Sequence, residues 1–100
     1  MILTNKGLAM SNRKTAIVTG ASRGIGAAIA RRLSQANYNI IVNYARSADD
    51  ADQVVQQISA GGGQALAIQA DVSSCTDVCR LFDEAEQHFG SVDVLVNNAG

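Results

Sequence analysis

The 100-residue sequence has no proline and no tryptophan, and only two tyrosines, two phenylalanines, two cysteines and one histidine. With 47% hydrophobic and 17% charged residues its composition is globular, neither disordered nor collagen-like. Aromatic residues at 4% argue against a platform for stacking nucleic-acid bases. An excess of one charge is lacking too. Eight basic residues against nine acidic leave a net charge of −1, which argues against a general nucleic-acid surface or a polybasic membrane contact. No apolar run approaches the roughly 18 residues of a membrane span. The length allows one small domain at most.

Cys75 and Cys79 stand four apart inside a helical pattern. Two such cysteines make neither a disulfide framework nor a four-ligand zinc spacing, and they are expected as free thiols in a reducing cytoplasm. Residues 1–13 offer only Ile2-Leu3 and Leu8-Ala9-Met10 as apolar pieces, too short for the core of a secretory signal. They are expected to form a disordered leader, and Met10 is an equally suitable start for the patterned sequence.

From residue 14 onward short apolar runs alternate with helix-period stretches. Strands are predicted over 16–19, 39–44, 65–70 and 92–96. Their nearly continuous apolar runs suit strands covered on both faces. Helices are predicted over 24–36, 48–60 and 75–89. The first is expected to turn Ile25, Ala28, Ile29, Leu33 and Ala36 inward, the second Ala51, Val54, Val55 and Ile58, and the third Val78, Leu81, Phe82, Ala85 and Phe89. Ser47 with Asp50, and Ser74 with Asp77, match capping boxes. Gly61 and Gly90 are the expected stops. The order β-α-β-α-β-α-β implies an α/β fold with a parallel sheet and right-handed crossovers. The expected strand order is 3-2-1-4, with the first two helices on one face and the third on the other.

The segment Thr19-Gly20-Ala21-Ser22-Arg23-Gly24-Ile25-Gly26 joins the first strand to the first helix. Gly20 lets the chain turn off the strand. Gly24 and Gly26 remove Cβ atoms where backbone must approach a pyrophosphate and where the helix must pack on the sheet. The helix N-terminus then offers N–H groups and a partial positive charge to phosphates. Between a strand and a helix of a βαβ unit, this spacing points to a dinucleotide loop. The same residues match G-x-S-x-G, which would make Ser22 an esterase nucleophile. That reading requires a downstream acid and then a histidine, and His88 on the third helix is the one histidine of the chain. It also leaves Gly26 unexplained. A P-loop fails because Ile25 and Gly26 stand where glycine and lysine are needed.

A site preferring NAD carries a carboxylate at the end of the second strand, about 20 residues past the glycines. Here that stretch reads Asn43-Tyr44-Ala45-Arg46-Ser47, and Asp49 and Asp50 fall in the first turn of the next helix. Arg46 beyond the strand and Arg23 within the loop instead suit a ribose 2′-phosphate, so NADP is the expected cofactor, NADPH preferred over NADH.

With these residues in place, the chain resembles the short-chain dehydrogenases/reductases, and among them the 3-oxoacyl-(acyl-carrier-protein) reductases and similar NADP-dependent carbonyl reductases. Residues 19–26 match the family's TGxxxGxG. Asp71-Val72 follows the third strand as the family requires, and Val96-Asn97-Asn98-Ala99-Gly100 matches its NNAG. The likeness covers about residues 13–100 and implies a doubly wound, Rossmann-type sheet, with 14–100 as the N-terminal part of the domain. By position it assigns Gly20, Ser22, Arg23 and Ile25 to the phosphates and adenosine ribose. Asp71 and Val72 would contact the adenine ring, the carboxylate accepting from its amino group. Asn98, Ala99 and Gly100 would run beside the ribose nearest the nicotinamide, and Asn97 would tie the central strands together. A small carbonyl or alcohol substrate and a homo-oligomeric complete enzyme are further implications.

Family members place a catalytic Ser and a Tyr-x-x-x-Lys after NNAG, whereas this sequence stops at Gly100. Tyr38 and Tyr44 are followed four residues on by Val42 and Ala48, so no catalytic residue is assigned. The resulting expectation is the NADP(H)-binding half of a short-chain oxidoreductase, inactive by itself. Two alternatives are a non-catalytic dinucleotide-binding or redox-sensing module and a degenerate gene remnant. The sequence downstream of Gly100 separates them. The isolated chain is expected to fold poorly, because the fourth strand lies at an open edge.

Overall fold

A strand covered on both faces needs apolar residues at consecutive positions, and two segments come closest to that. All four residues of β1 (Thr15–Val18) are buried, as are the first five of β2 (Asn39–Tyr44). In the computed structural model, which describes residues 13–99, these two strands form the middle of a parallel sheet of order β3-β2-β1-β4. The leader expected over 1–13, apart from Arg13, lies outside the described residues, as does Gly100. Thr15 pairs with Asn39 and Val18 with Val42. On the outer flanks Ile41 pairs with Leu66 of β3 (Ala65–Gln69), and Ile17 with Leu95 of β4 (Val94–Val96). The expected strand order is the observed one.

Side chains alternate across a sheet, so odd and even positions build two cores. Ala16, Val18, Ile40 and Val42 pack with Ala27 and Ala30 of α1 (Gly24–Gln35) and with Ala51, Val54 and Ile58 of α2 (Ala48–Ala60). Ile17 and Ile41 pack on the opposite face with Ile68, Ala70, and Leu81 and Ala85 of α3 (Cys75–Phe89). Each of the fully buried isoleucines contributes about 1.5–3 kcal/mol of hydrophobic free energy. The placement of α1 and α2 on one face and α3 on the other is as expected.

The departures are local. In α1 the buried residues are Gly26, Ala27 and Ala30, while Ile25 is 73% exposed and Ala28 and Ala36 are exposed. The expected inward stripe is therefore wrong by part of a turn; Ile29 and Leu33 are partly buried beside it. The small residues let the helix approach β1 and β2 closely, and this outweighs the burial of larger ones. Ser47 makes no side-chain cap on α2, contrary to the capping box expected there. Ser74 does cap α3, accepting the Asp77 N–H at 3.3 Å. The other half of that box is diverted, since the Asp77 carboxylate accepts from the Asp71 N–H at 2.8 Å. β4 begins at Val94 rather than 92. Just before it Asp93 grips Thr15 twice, its backbone N–H donating to the Thr15 carbonyl at 2.9 Å and its carboxylate accepting the Thr15 N–H at 2.9 Å.

Candidate functional site

In an open parallel sheet ligands sit beyond the carboxyl ends of the strands. At this edge the loops after β1, β2, β3 and β4 come together. The loop after β1 leads into α1 through Arg23, the N-cap, whose backbone is extended and whose side chain makes no capping bond. The first turn of α1 contains no acidic residue. Its N–H groups and the helix's partial positive charge are thus left for an anion. Gly24 has φ +64°, and nothing lies within 4 Å of where its Cβ would stand. The loop is open to a ligand on that side. A Cβ on Gly26 would instead overlap the Gly20 carbonyl oxygen and lie 2.6 Å from Asn98 Nδ2. Glycine is required there for helix and loop to close on one another.

Two buried polar residues hold the loop, and the reading of the sequence gave neither a role. Thr19 donates its backbone N–H to the Val96 carbonyl at 3.0 Å. Its hydroxyl oxygen accepts the N–H groups of Asn98 at 2.9 Å and Ala99 at 3.0 Å. Asn43 is 1% exposed. Its Oδ1 accepts the Gly20 N–H, and its amide donates to the carbonyls of Ile68 and Ala70, each at 3.3 Å. The Asn43 carbonyl also accepts the Ala21 N–H at 2.8 Å. One asparagine therefore joins β2, the end of β3 and the glycine loop. A polar residue inside the strand, directly after the apolar run Ile40-Ile41-Val42, was the available signal. Asn98 completes the clamp by donating from Nδ2 to the Gly20 carbonyl at 3.2 Å. The Asn97 side chain is exposed and accepts from the Thr19 hydroxyl at 3.4 Å, a contact between the ends of β4 and β1.

Arg23 lies at the loop's mouth with its Nε 4.0 Å from Asp50 Oδ2. Arg46 follows β2 and lines a cleft of about 360 Å³ with Ser47, Ala48, Asp49 and Asp50. Ser22 is half-buried in the loop, and the Ile25 side chain is exposed beside it. Beyond β3, Asp71 Oδ1 accepts the Ser73 hydroxyl at 2.6 Å and the Ser73 N–H at 3.0 Å. The hydroxyl bond, then the N–H bond, hold the Asp71 carboxyl below its ordinary value; partial desolvation opposes them and the Arg46 charge assists. Both bonds fall on Oδ1 and leave Oδ2 for another donor. Val72, next in the chain, is half-buried, and so is Ala99, which lies against Gly20. Gly20, Ser22, Arg23, Arg46, Asp71, Val72, Asn98 and Ala99 belong to the loops at this edge, and Gly24, Ile25 and Gly26 to the first turn of α1 that faces it; Gly100 is outside the described residues.

His88 sits in the last turn of α3, the end leading back to β4, and packs edge-on against Phe89 with centroids 4.5 Å apart. That is the wrong end of the helix for a base serving Ser22. Cys75 and Cys79 are free and exposed. Among the described residues no three potential ligands cluster for a metal ion, and no helix is long and apolar enough to cross a membrane.

A parallel sheet of this order, wrapped by alternating helices and carrying a glycine loop at its carboxyl edge, defines a Rossmann-like protein. The family model for short chain dehydrogenases matches residues 14–100, and the chain belongs to that family. It is 54% identical over 87 residues to the short chain dehydrogenase claC of Passalora fulva, covering 87% of this chain and 33% of that protein. It is likewise 54% identical over 87 residues to the 3-oxoacyl-(acyl-carrier-protein) reductase FabG of Staphylococcus epidermidis, covering 87% of this chain and 36% of that reductase. Among solved structures, an angucycline C-6 ketoreductase, LanV, with bound NADP, superposes with a TM-score of 0.79 at 44% identity, over 87% of this chain and 36% of that one. The chain thus spans about a third of the length of the curated relatives it matches.

Proposed function

We propose that this chain is the NADP(H)-binding half of a short-chain oxidoreductase that moves hydride between a nicotinamide and a carbonyl or alcohol carbon. The observation that carries this reading is the composition of the carboxyl edge. An uncapped helix N-terminus faces a cleared glycine loop, two arginines flank it, and no carboxylate stands at the end of β2. The cradle around Gly24 and the closure at Gly26 fit a diphosphate lying against α1. Arg23 and Arg46 then hold the ribose 2′-phosphate, which distinguishes NADP from NAD. Asp71 and Val72 receive the adenine, with Asp71 kept ionised and fixed by Ser73. Asn98, Ala99 and Gly100 border the ribose nearest the nicotinamide, and the Thr19 hydroxyl sets the backbone of the first two. When bound, the dinucleotide supplies the hydride chemistry.

None of the described residues stands as a proton donor for the substrate, so the Tyr/Lys pair implied by the family is taken to lie elsewhere in the working enzyme. General acid catalysis contributes about 10²–10⁴-fold to such reactions, and the 100-residue chain by itself is expected to be inactive. A cytoplasmic, homo-oligomeric enzyme fits this reading, in keeping with the exposed free thiols of Cys75 and Cys79.

The test is a pair of titrations with NADPH and NADH. Replacing Arg23 and Arg46 by alanine is expected to weaken NADPH binding by about tenfold or more and to leave NADH nearly unchanged. Equal losses for the two cofactors would reject the assignment of the arginines. Failure of the unaltered protein to bind either would reject the dinucleotide site.

A further inference from the structure

Arg23, the residue assigned above to the 2′-phosphate, already has an anionic partner. Its Nε lies 4.0 Å from Asp50 Oδ2, with the two side chains 76% and 43% exposed. Asp49 and Asp50 place two carboxylates in the first turn of α2, where the helix's partial positive charge favours them. Both also line the cleft that holds Arg46. The cationic pair that would read the cofactor is therefore set against an internal anion. Asp50 engages Arg23 directly, and Asp49 shares the turn without taking part in any described ion pair.

We propose that Asp50 tunes cofactor specificity by competing with the 2′-phosphate for Arg23, narrowing the margin by which the site favours NADP(H) over NAD(H). The inference rests on the dinucleotide reading above. Binding of the phosphorylated cofactor exchanges one anion for another on a single guanidinium. An exposed pair at 4.0 Å is weak and yields to a dianion. NADH carries no phosphate at that position and is indifferent to the exchange. Asp50 is therefore a positioning residue: it acts on the ligand through Arg23.

Dissociation constants for NADPH and NADH would be measured by fluorescence titration on the protein as encoded, carrying Asp50→Asn, Arg23→Gln, both, or neither. Asp50→Ser repeats the charge removal in case asparagine loosens the first turn of α2. Asp50→Asn is expected to tighten NADPH about two- to fivefold and to leave NADH nearly unchanged. In the Arg23→Gln background that gain should shrink. A protein that binds neither cofactor overturns both this inference and the reading it rests on. Normal NADPH binding that Asp50→Asn does not improve, or an equal gain for NADH, overturns this inference alone. So does a gain undiminished by Arg23→Gln, since Asp50 would then act on the ligand directly.

Discussion

Four aliphatic side chains form one row across the α3 face of the sheet: Leu66, Ile41, Ile17 and Leu95, each paired with the next. The two central ones are 0% exposed, whereas Leu95 at the β4 edge is 50% exposed. Chemistry hardly distinguishes Ile17 from Leu95; cover does. α3 lies over the β3-β2-β1 side of this face through Leu81 and Ala85, and the β4 end of the row lacks the same shield among the described residues. A doubly wound sheet thus has a finished region and an unfinished one within a single row of contacts. Burial in it depends on which helix lies overhead, more than on how apolar a strand is.

The largest effect should come from cutting the finished part. Ile17→Ala in the 100-residue chain is expected to cost about 2–5 kcal/mol in urea unfolding, and Leu95→Ala under about 1 kcal/mol. Equal losses would show that the edge is as well covered as the centre. A buried polar tie should follow. Asn43→Ala strands the Gly20 N–H and two carbonyls and should cost about 1–3 kcal/mol, while Asn97→Ala at the exposed edge should stay within about 0.5 kcal/mol. Amide exchange at Gly20 would report the first loss locally. The unfinished edge should also show itself in solution. The isolated chain is expected to associate, and Leu95→Lys to shift it toward monomer in size-exclusion chromatography. A monodisperse monomer with strong amide protection across 92–97 would remove the contrast between the two regions.

The smallest effect concerns pH. The folded-state value of Asp71 is lowered by its bonds to Ser73, so its contribution to stability is present above the ordinary carboxylate value of 3.8. It is lost as pH falls through the lower, folded value. Ser73→Ala should reduce stability slightly at neutral pH and flatten that acid limb. An unchanged limb would deny the coupling between the two residues.

The strand order, the two-faced wrapping and the bounds of α2 and α3 were legible because each rests on local patterns: apolar runs, a Ser74 cap, glycine stops. The inward face of α1 was not. Periodicity weighs size, and it favoured Ile25 and Ala28 over Gly26, Ala27 and Ala30, although close approach to the sheet needs the smaller set. The glycine loop and Asp71 were readable from position along the chain. Thr19 was not, and Asn43 offered only its polar place inside a strand, because their partners lie far away in sequence. Nor does the spacing of Asp50 from the loop announce its contact with Arg23, which depends on where α2 begins in space.

The Thr19 clamp also bears on the order of assembly. Its partners at 96–99 lie 77 to 80 residues downstream. β1 pairs with β2 across a far shorter span, and contacts of long separation form late. During synthesis at about 5–20 residues per second, the glycine loop would wait roughly 4–16 s after leaving the peptidyl-transferase centre before its last supports were made. The cradle would therefore take its final shape after the core beneath it, and a released chain ending before residue 96 would keep the β3-β2-β1 pairing and the Asn43 bonds to the loop while lacking the Thr19 clamp.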